Sequence, residues 1–139
     1  MKRTLYFISF VLLVVLLTSV SLPVNQDGSQ LEPASNEVIF YQHSNYGGYY
    51  FKWFYDRDAA YLTSYNMGSS QTSWNDQISS VKIGKDVCVT FWEHVKYAGA
   101  KIQMKADGIN IKKYASMPSG WNDKASSVKI RMYDNCSSK

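Results

Sequence analysis

WNDQISSVKI occupies Trp74–Ile83, and WNDKASSVKI occupies Trp121–Ile130. The two stretches start 47 residues apart and are identical at eight of ten positions. Asn, Asp and Ser favour turns because their side chains hydrogen-bond the local backbone. Val-Lys-Ile alternates in polarity as a half-buried strand does. Each stretch therefore predicts a turn leading into a strand, and its side-chain oxygens offer a second interpretation, an ion-binding site.

A second pair of similar stretches precedes these two. VIFYQHSNYGGYYF begins at Val38, and VTFWEHVKYAGAKI begins at Val89, an offset of 51 residues. Both copies keep a histidine and, two residues after a tyrosine, a glycine. The paired positions are Phe40 and Phe91, Tyr41 and Trp92, His43 and His94, Tyr46 and Tyr97, Gly48 and Gly99. An internal repeat of this length indicates one supersecondary unit written twice.

The composition favours a single all-β domain. The 139 residues are 45% hydrophobic and 15% aromatic, and aromatic side chains pack well on pleated surfaces. No segment after the N-terminus has a clear helical period, whereas short alternating runs recur between glycine and polar turns, as in a β-sandwich. The predicted strands are Val38–Tyr41, Tyr49–Trp53, Tyr61–Leu62 and Ser80–Ile83 in the first copy, and Val87–Trp92, Ala100–Met104, Ile109–Ile111 and Ser127–Met132 in the second.

The N-terminus predicts export. Lys2 and Arg3 precede an apolar run over Leu5–Leu17 and then small and polar residues, as in a secretory signal peptide. The alternative is an uncleaved anchor, because Leu5–Leu22 approaches the roughly 20 residues that span a bilayer. We divide the chain into a signal peptide (1–21), a flexible linker (22–36), a domain (37–136, with motifs at 37–84 and 86–133) and a tail (137–139).

Charge and motif content exclude several classes of function. The formal net charge of +4 falls to +2 without Lys2 and Arg3, and no basic cluster suited to phosphates remains, so nucleic acid is not an expected partner. No membrane contact is expected beyond the signal segment. The chain lacks Gly-x-Ser-x-Gly and His-Glu-x-x-His, so we expect no enzyme activity. His43 and His94 have no convergent partners in the sequence, and we assign them structural roles.

Taken together, the repeated patterns resemble the βγ-crystallin family. One pattern is aromatic-x-x-x-x-aromatic-x-Gly, at Tyr41–Gly48 and Trp92–Gly99. The other is Asn/Asp-Asn/Asp-x-x-Ser/Thr-Ser, at Asn75–Ser80 and Asn122–Ser127. The resemblance implies a βγ-crystallin-like sandwich of two four-stranded Greek-key motifs, covering 37–136. Gly48 and Gly99 also suit a tight hairpin, because glycine readily adopts the positive φ that such a turn needs.

The resemblance implies two Ca²⁺ sites, each shared between the motifs. Carboxylate, hydroxyl and carbonyl oxygens suit Ca²⁺, with Mg²⁺ as second choice because it demands a stricter octahedron. One carboxylate per site points to modest affinity, ~10⁻⁶ to 10⁻³ M. The implied ligands are Ser79, the Gln77 carbonyl, a carbonyl near Ser44 and Asp123 for the first site, and Ser126, the Lys124 carbonyl, a carbonyl near Val95 and Asp76 for the second.

Other residues would support these sites and close the domain. Asn75 and Asn122 would brace the loops, and the neighbouring serines Ser80 and Ser127 would be structural. In the family's Greek key the first and last strands of a motif are antiparallel neighbours, which implies a Cys88–Cys136 disulfide. The predicted function is an exported calcium-binding structural protein of the cell envelope or exterior, with an unknown protein or cell-surface partner. The alternative is a secreted toxin-like or protease-inhibitor-like interaction module that would use loops such as Asp56–Thr72.

Overall fold

The computed structural model describes residues 28–136 and confirms the all-β class. Its strands are β1 (Glu37–His43), β2 (Gly47–Phe54), β3 (Asp58–Ala59), β4 (Ser80–Ile83), β5 (Val87–His94), β6 (Ala98–Lys105), β7 (Lys112–Tyr114) and β8 (Ser127–Met132). Short 3-10 turns lie at Gly28–Gln30, Ser44–Tyr46, Leu62–Ser64, Val95–Tyr97 and Tyr133–Asn135. Within 28–136 no helix has the length and apolarity to cross a membrane. The predicted signal peptide, the linker up to residue 27 and the tail lie outside the described residues.

The eight strands form two four-stranded antiparallel sheets that exchange one strand each. The first sheet has the order β2-β1-β4-β7 and the second β3-β8-β5-β6. β3 comes from the first copy of the repeat but pairs with β8 of the second copy, through Asp58 opposite Lys129. β7 comes from the second copy but pairs with β4, through Lys113 opposite Lys82. Neither copy completes its sheet alone, so the two halves fold as one domain.

The first predicted third strand, Tyr61–Leu62, is wrong. β3 lies three residues earlier, and Leu62 begins a 3-10 turn. The Leu62 amide donates to the Ser126 carbonyl at 3.0 Å, and the side chain is fully buried. The apolar side chain of Leu62 is therefore buried, as in the predicted strand, but a buried side chain does not require an extended backbone.

The second predicted third strand, Ile109–Ile111, is also wrong, because β7 begins at Lys112. Ile109 is 76% exposed in a turn built on Asp107. The Asp107 carboxylate accepts the amides of Ile109 and Asn110 at 2.8 and 2.6 Å. Donation from the Asn110 and Ile109 amides lowers the pKa of Asp107 to about 2. This turn uses the backbone donors that a strand would need for its ladder.

The main core lies between the sheets and is rich in aromatic rings. Successive residues of a strand face opposite sides, so Val38 and Phe40 of β1 point inward and are fully buried. Phe40 stacks on Phe51 at 4.6 Å between ring centroids and meets Phe91 of the other sheet edge-on at 5.9 Å. Trp74, the first tryptophan of the doubled stretch, packs on Phe51 at 4.4 Å. That tryptophan is therefore a core residue.

Residues 28–36, assigned above to a flexible linker, belong to the folded domain; we call them the N-terminal strap. The strap crosses the outer face of the first sheet, where Gly28 and Pro33 are buried. The Tyr41 hydroxyl donates to the Gly28 carbonyl at 2.8 Å, and the Asp86 amide donates to the Ser35 carbonyl at 2.8 Å. The polar composition of this segment predicts a flexible linker. The segment is instead part of the folded domain, because its backbone carbonyls accept hydrogen bonds from the first sheet and from Asp86.

Gly84, next to β4, is the position where the strap lies closest to the sheet. A Cβ there would lie 2.1 Å from the Ala34 carbonyl oxygen and 2.5 Å from that of Ser35. Gly84→Ala is therefore expected to destabilise the protein by about 3 kcal/mol, as overpacking against backbone does, measured by urea unfolding. The control is Gly47→Ala, whose Cβ would find its nearest neighbour at 3.6 Å at a φ of −93°. Equal midpoints for the two variants would contradict the close approach.

Candidate metal centre

Each half carries a tight turn before its second strand, and a serine of the doubled stretch holds it. In the first half, the Tyr46 amide donates to Ser80 Oγ at 3.1 Å, and the Ser80 hydroxyl donates to the His43 carbonyl at 2.6 Å. Asn45 and Tyr46 have φ of 58° and 64°. Left-handed backbone costs energy for residues other than glycine, so these contacts hold the turn that carries the Ser44 carbonyl.

The second half repeats this arrangement. The Tyr97 amide donates to Ser127 Oγ at 3.0 Å, and the Ser127 hydroxyl donates to the His94 carbonyl at 2.7 Å. Lys96 and Tyr97 have φ of 58° and 60°. The carbonyl of Val95 accepts the Ala98 amide and keeps a second lone pair. Both turns are therefore held by the serine that begins β4 or β8.

Glycine and histidine close these turns. Gly48 and Gly99 have φ of 74° and 78°, the positive values predicted for the hairpins. A Cβ at either glycine would lie 2.7 Å from Cδ2 of His43 or His94, so each imidazole covers its glycine. The aromatic pairs of the first pattern also meet: Tyr41 and Tyr46 at 5.5 Å, and Trp92 and Tyr97 at 5.3 Å, both edge-on.

The first predicted site brings together Ser79 and Asp123, which are 44 residues apart. The Ser79 hydroxyl donates to Asp123 Oδ1 at 2.6 Å. The Ser79 amide donates to the Tyr41 carbonyl at 3.0 Å, and the Asp123 amide donates to the Ile78 carbonyl at 3.2 Å. The serine is 5% exposed and the aspartate is at the surface. A hydroxyl of one half and a carboxylate of the other therefore share one location.

The second predicted site has the same arrangement with the halves exchanged. The Ser126 hydroxyl donates to Asp76 Oδ1 at 3.1 Å. The Ser126 amide donates to the Trp92 carbonyl at 2.9 Å, and the Asp76 amide donates to the Ala125 carbonyl at 3.0 Å. Each copy of the doubled stretch thus gives a hydroxyl to one location and a carboxylate to the other.

The asparagines of the motif orient these carboxylates. The Asn75 amide group donates to Asp76 Oδ2 at 2.7 Å, and that of Asn122 donates to Asp123 Oδ2 at 2.6 Å. Asp76 and Asp123 have φ of 55° and 50°, which Asp tolerates better than most residues. One carboxylate oxygen is therefore held by its neighbour, and the other faces the serine of the opposite half.

The oxygens at these locations suit a hard cation that is held by one carboxylate and several neutral oxygens. Each set would combine one carboxylate, one hydroxyl and carbonyls from Gln77 or Lys124 and from the facing turn, all of which suit Ca²⁺. Asn75 Oδ1 is buried without a hydrogen-bond partner in 28–136, an acceptor of the kind that a nearby cation satisfies. Within that range no three or more His, Cys, Asp or Glu side chains are grouped so that they could hold a metal ion together. The donors predicted for each location are all oxygens, a set that suits Ca²⁺ better than Zn²⁺.

Two ionic contacts near these locations were not predicted. Arg131 holds Asp58 through Nη2 and Oδ2 at 2.9 Å, and this hydrogen bond lowers the pKa of Asp58 despite partial burial. Lys82 is buried under the strap, 2% exposed at its side chain. The sequence carries a signal for each contact: the charged residue of β3 for Asp58, and the lysine repeated in both Val-Lys-Ile stretches for Lys82. Neither signal identifies the residue with which the charge pairs.

The structure also confirms the predicted disulfide. Cys88 of β5 and Cys136, just after β8, are bonded, with their Cα atoms 6.1 Å apart. β5 and β8 are antiparallel neighbours, with Cys88 opposite Arg131. The bridge therefore ties the C-terminal end of the described chain to the start of the second half.

Solved structures of βγ-crystallin domains share this fold. A structure from work on the evolution of the eye lens βγ-crystallin domain fold is 23% identical, covers 74% of this chain and 92% of that chain, and has a TM-score of 0.60. A domain of Abundant Perithecial Protein from Neurospora crassa, in the Ca²⁺-bound form, is 21% identical, with 76% and 99% coverage and a TM-score of 0.56. A domain from Clostridium beijerinckii is 26% identical, with 68% and 95% coverage and a TM-score of 0.52.

Sequence comparison agrees with these structures. No curated protein matches the chain. The profile of the Beta/Gamma crystallin family matches residues 34–117, which is more than half of the 139 residues. This match, two interlocked sheets and the doubled turn motifs together show that the chain belongs to the beta/gamma crystallin family.

Proposed function

We propose that the protein binds two calcium ions, each shared between the two halves, and that the ions stabilise a non-catalytic protein. The reciprocal contacts Ser79–Asp123 and Ser126–Asp76, at 2.6 and 3.1 Å, carry this proposal. Two loops that served only as turns would have no need to place a carboxylate against the hydroxyl of the other half. The Ca²⁺-bound relative from Neurospora crassa supports calcium as the ion.

In the first site the ion would be held by Ser79 Oγ, the carbonyls of Gln77 and Ser44, and the Asp123 carboxylate. In the second, Ser126 Oγ, the carbonyls of Lys124 and Val95, and the Asp76 carboxylate would hold it. The bound ion supplies charge that draws these oxygens together and no reaction chemistry. Since each serine hydroxyl now donates to the carboxylate, binding would turn its lone pairs toward the ion, with water completing the shell.

The proposed location is the cell exterior or envelope. It rests on the predicted signal peptide over residues 1–21 and is supported by the Cys88–Cys136 disulfide, because disulfides persist in oxidising compartments. Calcium is also abundant enough there for sites of ~10⁻⁶ to 10⁻³ M affinity, the range of modest-charge and extracellular calcium modules.

Calorimetric titration with CaCl₂ tests the proposal. The expected stoichiometry is two ions for the parent chain and one each for Asp76→Ala and Asp123→Ala, because each change removes the only side-chain carboxylate of one site and leaves no amide oxygen in its place. Asp107→Ala is the matched control, since its carboxylate serves a turn elsewhere, and it should retain two ions. MgCl₂ should compete only weakly. No binding heat, or two ions bound by both site variants, would refute the shared sites.

A further inference from the structure

The strap supplies the partners of a buried lysine. Lys82 of β4 points to the outer face of the first sheet, and its ammonium donates to the carbonyls of Ser29 and Leu31 at 2.6 and 2.7 Å. The Glu32 carboxylate lies 3.3 Å from the same nitrogen. An ammonium has three donors, and leaving them unpaired in a buried position is costly. The strap satisfies all three.

Glu32 extends this contact to another strand. Its carboxylate also pairs with Lys113 of β7 at 2.8 Å. Burial raises the pKa of Glu32, but the hydrogen bonds and charges of Lys113 and Lys82 outweigh burial and hold that pKa below its ordinary value. The strap therefore joins the two central lysines of β4 and β7, one from each half of the repeat.

Lys82 also contacts the turn of the first proposed calcium site. Its ammonium lies 4.6 Å from the centroid of the Tyr46 ring, within range of a cation–π interaction. Tyr46 is the left-handed residue whose amide bonds Ser80, next to the site residue Ser79. A continuous set of contacts thus runs from the strap through Lys82 and Tyr46 to the turn that carries the Ser44 carbonyl.

The second half holds its corresponding lysine differently. Lys129 lies 4.1 Å from the Tyr97 ring centroid, so the lysine–tyrosine contact is repeated. Its ion-pair partner, however, is Asp58 of β3 at 3.6 Å, and its side chain is 31% exposed. The second turn is therefore held by a carboxylate from within the sheet, and the first by a segment outside it.

We infer that the N-terminal strap sets the calcium affinity of the first site and leaves the second unaffected. The inference rests on the proposed function. With the strap in place, Lys82 is fixed over Tyr46 and the turn is preorganised for an ion. Without it, Lys82 leaves its buried position for water and the turn samples other conformations. If this turn adopts the calcium-binding conformation about a tenth of the time, the apparent Kd of the first site for calcium rises about tenfold.

The test isolates each site in the full chain. Asp76→Ala leaves the first site and Asp123→Ala leaves the second, and each background receives either Lys82→Met or deletion of residues 28–32. CaCl₂ titration is expected to give a roughly tenfold higher Kd at the first site and less than a twofold change at the second. Lys101→Met, an exposed lysine of β6, is the control and should change neither. The deletion keeps Lys82, so it serves if the buried substitution prevents folding.

A calcium-free measurement separates this inference from the proposed function. Amide hydrogen exchange at Tyr46 should accelerate about tenfold in the strap deletion, with Tyr97 unchanged, because local opening controls exchange. Equal effects on the two tyrosines, or an unchanged first-site Kd in a folded variant, would overturn the inference. If the parent chain binds no calcium, the proposed function fails and the regulatory inference with it, whereas the exchange data still report whether the strap holds the turn.

Discussion

Saturating calcium is expected to raise the free energy of unfolding of this protein by about 5 kcal/mol. A ligand that binds only the folded state at 100 times its Kd contributes about 2.7 kcal/mol per site, and two sites are proposed. At about 4 °C per kcal/mol for a domain of this size, the melting temperature should rise by roughly 20 °C. Thermal unfolding followed by near-ultraviolet circular dichroism, with CaCl₂ or with a chelator, measures the shift.

The aspartate variants divide this gain. Asp76→Ala and Asp123→Ala should each retain about half of the calcium-induced shift, and the double variant should show none. Melting temperatures measured with the chelator should differ by only a few degrees among the four proteins. Both carboxylates are exposed, and substitutions of exposed polar residues usually change stability little. A double variant that calcium still stabilises would place the ions elsewhere. A single variant that loses the whole gain would show that neither site binds without the other.

The shared sites explain why the gain should appear in one transition. Each proposed ion joins a hydroxyl from one half to a carboxylate from the other, and the sheets already exchange β3 and β7. Unfolding either half would therefore release both ions. Calcium should shift a single cooperative transition upward rather than split it into two.

Local features of this fold were readable from the sequence because they depend on a few neighbouring residues. Gly48 and Gly99 adopt the positive φ predicted for their hairpins. The Cys88–Cys136 disulfide spans 48 residues, and its pairing was expected only through the resemblance to a family. The pairing of Ser79 with Asp123 was expected only through the resemblance to a family, since nothing within either stretch states that the two copies face each other. The structure brings these side chains within hydrogen-bond distance.

Long-range features were not readable in the same way. β3 and β7 have two and three residues, too few to show a period, and their sheet partners belong to the opposite half. The polar composition of the strap predicts a linker, because Ser29 and Leu31 make their contacts through backbone carbonyls, which every residue carries whatever its side chain. The alternation of Val-Lys-Ile predicts a half-buried strand but does not show that Lys82 is buried, because its acceptors lie about 50 residues earlier in the chain.

Loss of the Cys88–Cys136 disulfide is the second large effect, expected to lower the free energy of unfolding by about 4 kcal/mol. The bond closes a loop over a sequence separation of 48 residues, which includes β5 to β8. Opening such a loop frees the unfolded chain, and the entropy relation for a loop of this length gives this magnitude at 25 °C. Urea unfolding of the oxidised parent and of the Cys88→Ala/Cys136→Ala variant measures the difference.

The variant must be separated from a packing defect, because Cys88 is buried at 1% exposure whereas Cys136 is partly exposed. Cys136→Ala alone with Cys88 reduced keeps the buried sulfur and loses only the bond. If the bond acts by restricting the unfolded chain, this variant and the double variant should differ by the small cost of the Cys88 sulfur, about 1 kcal/mol for one buried group. Should the single variant be as stable as the oxidised parent, the disulfide would contribute nothing to stability through closure of the loop.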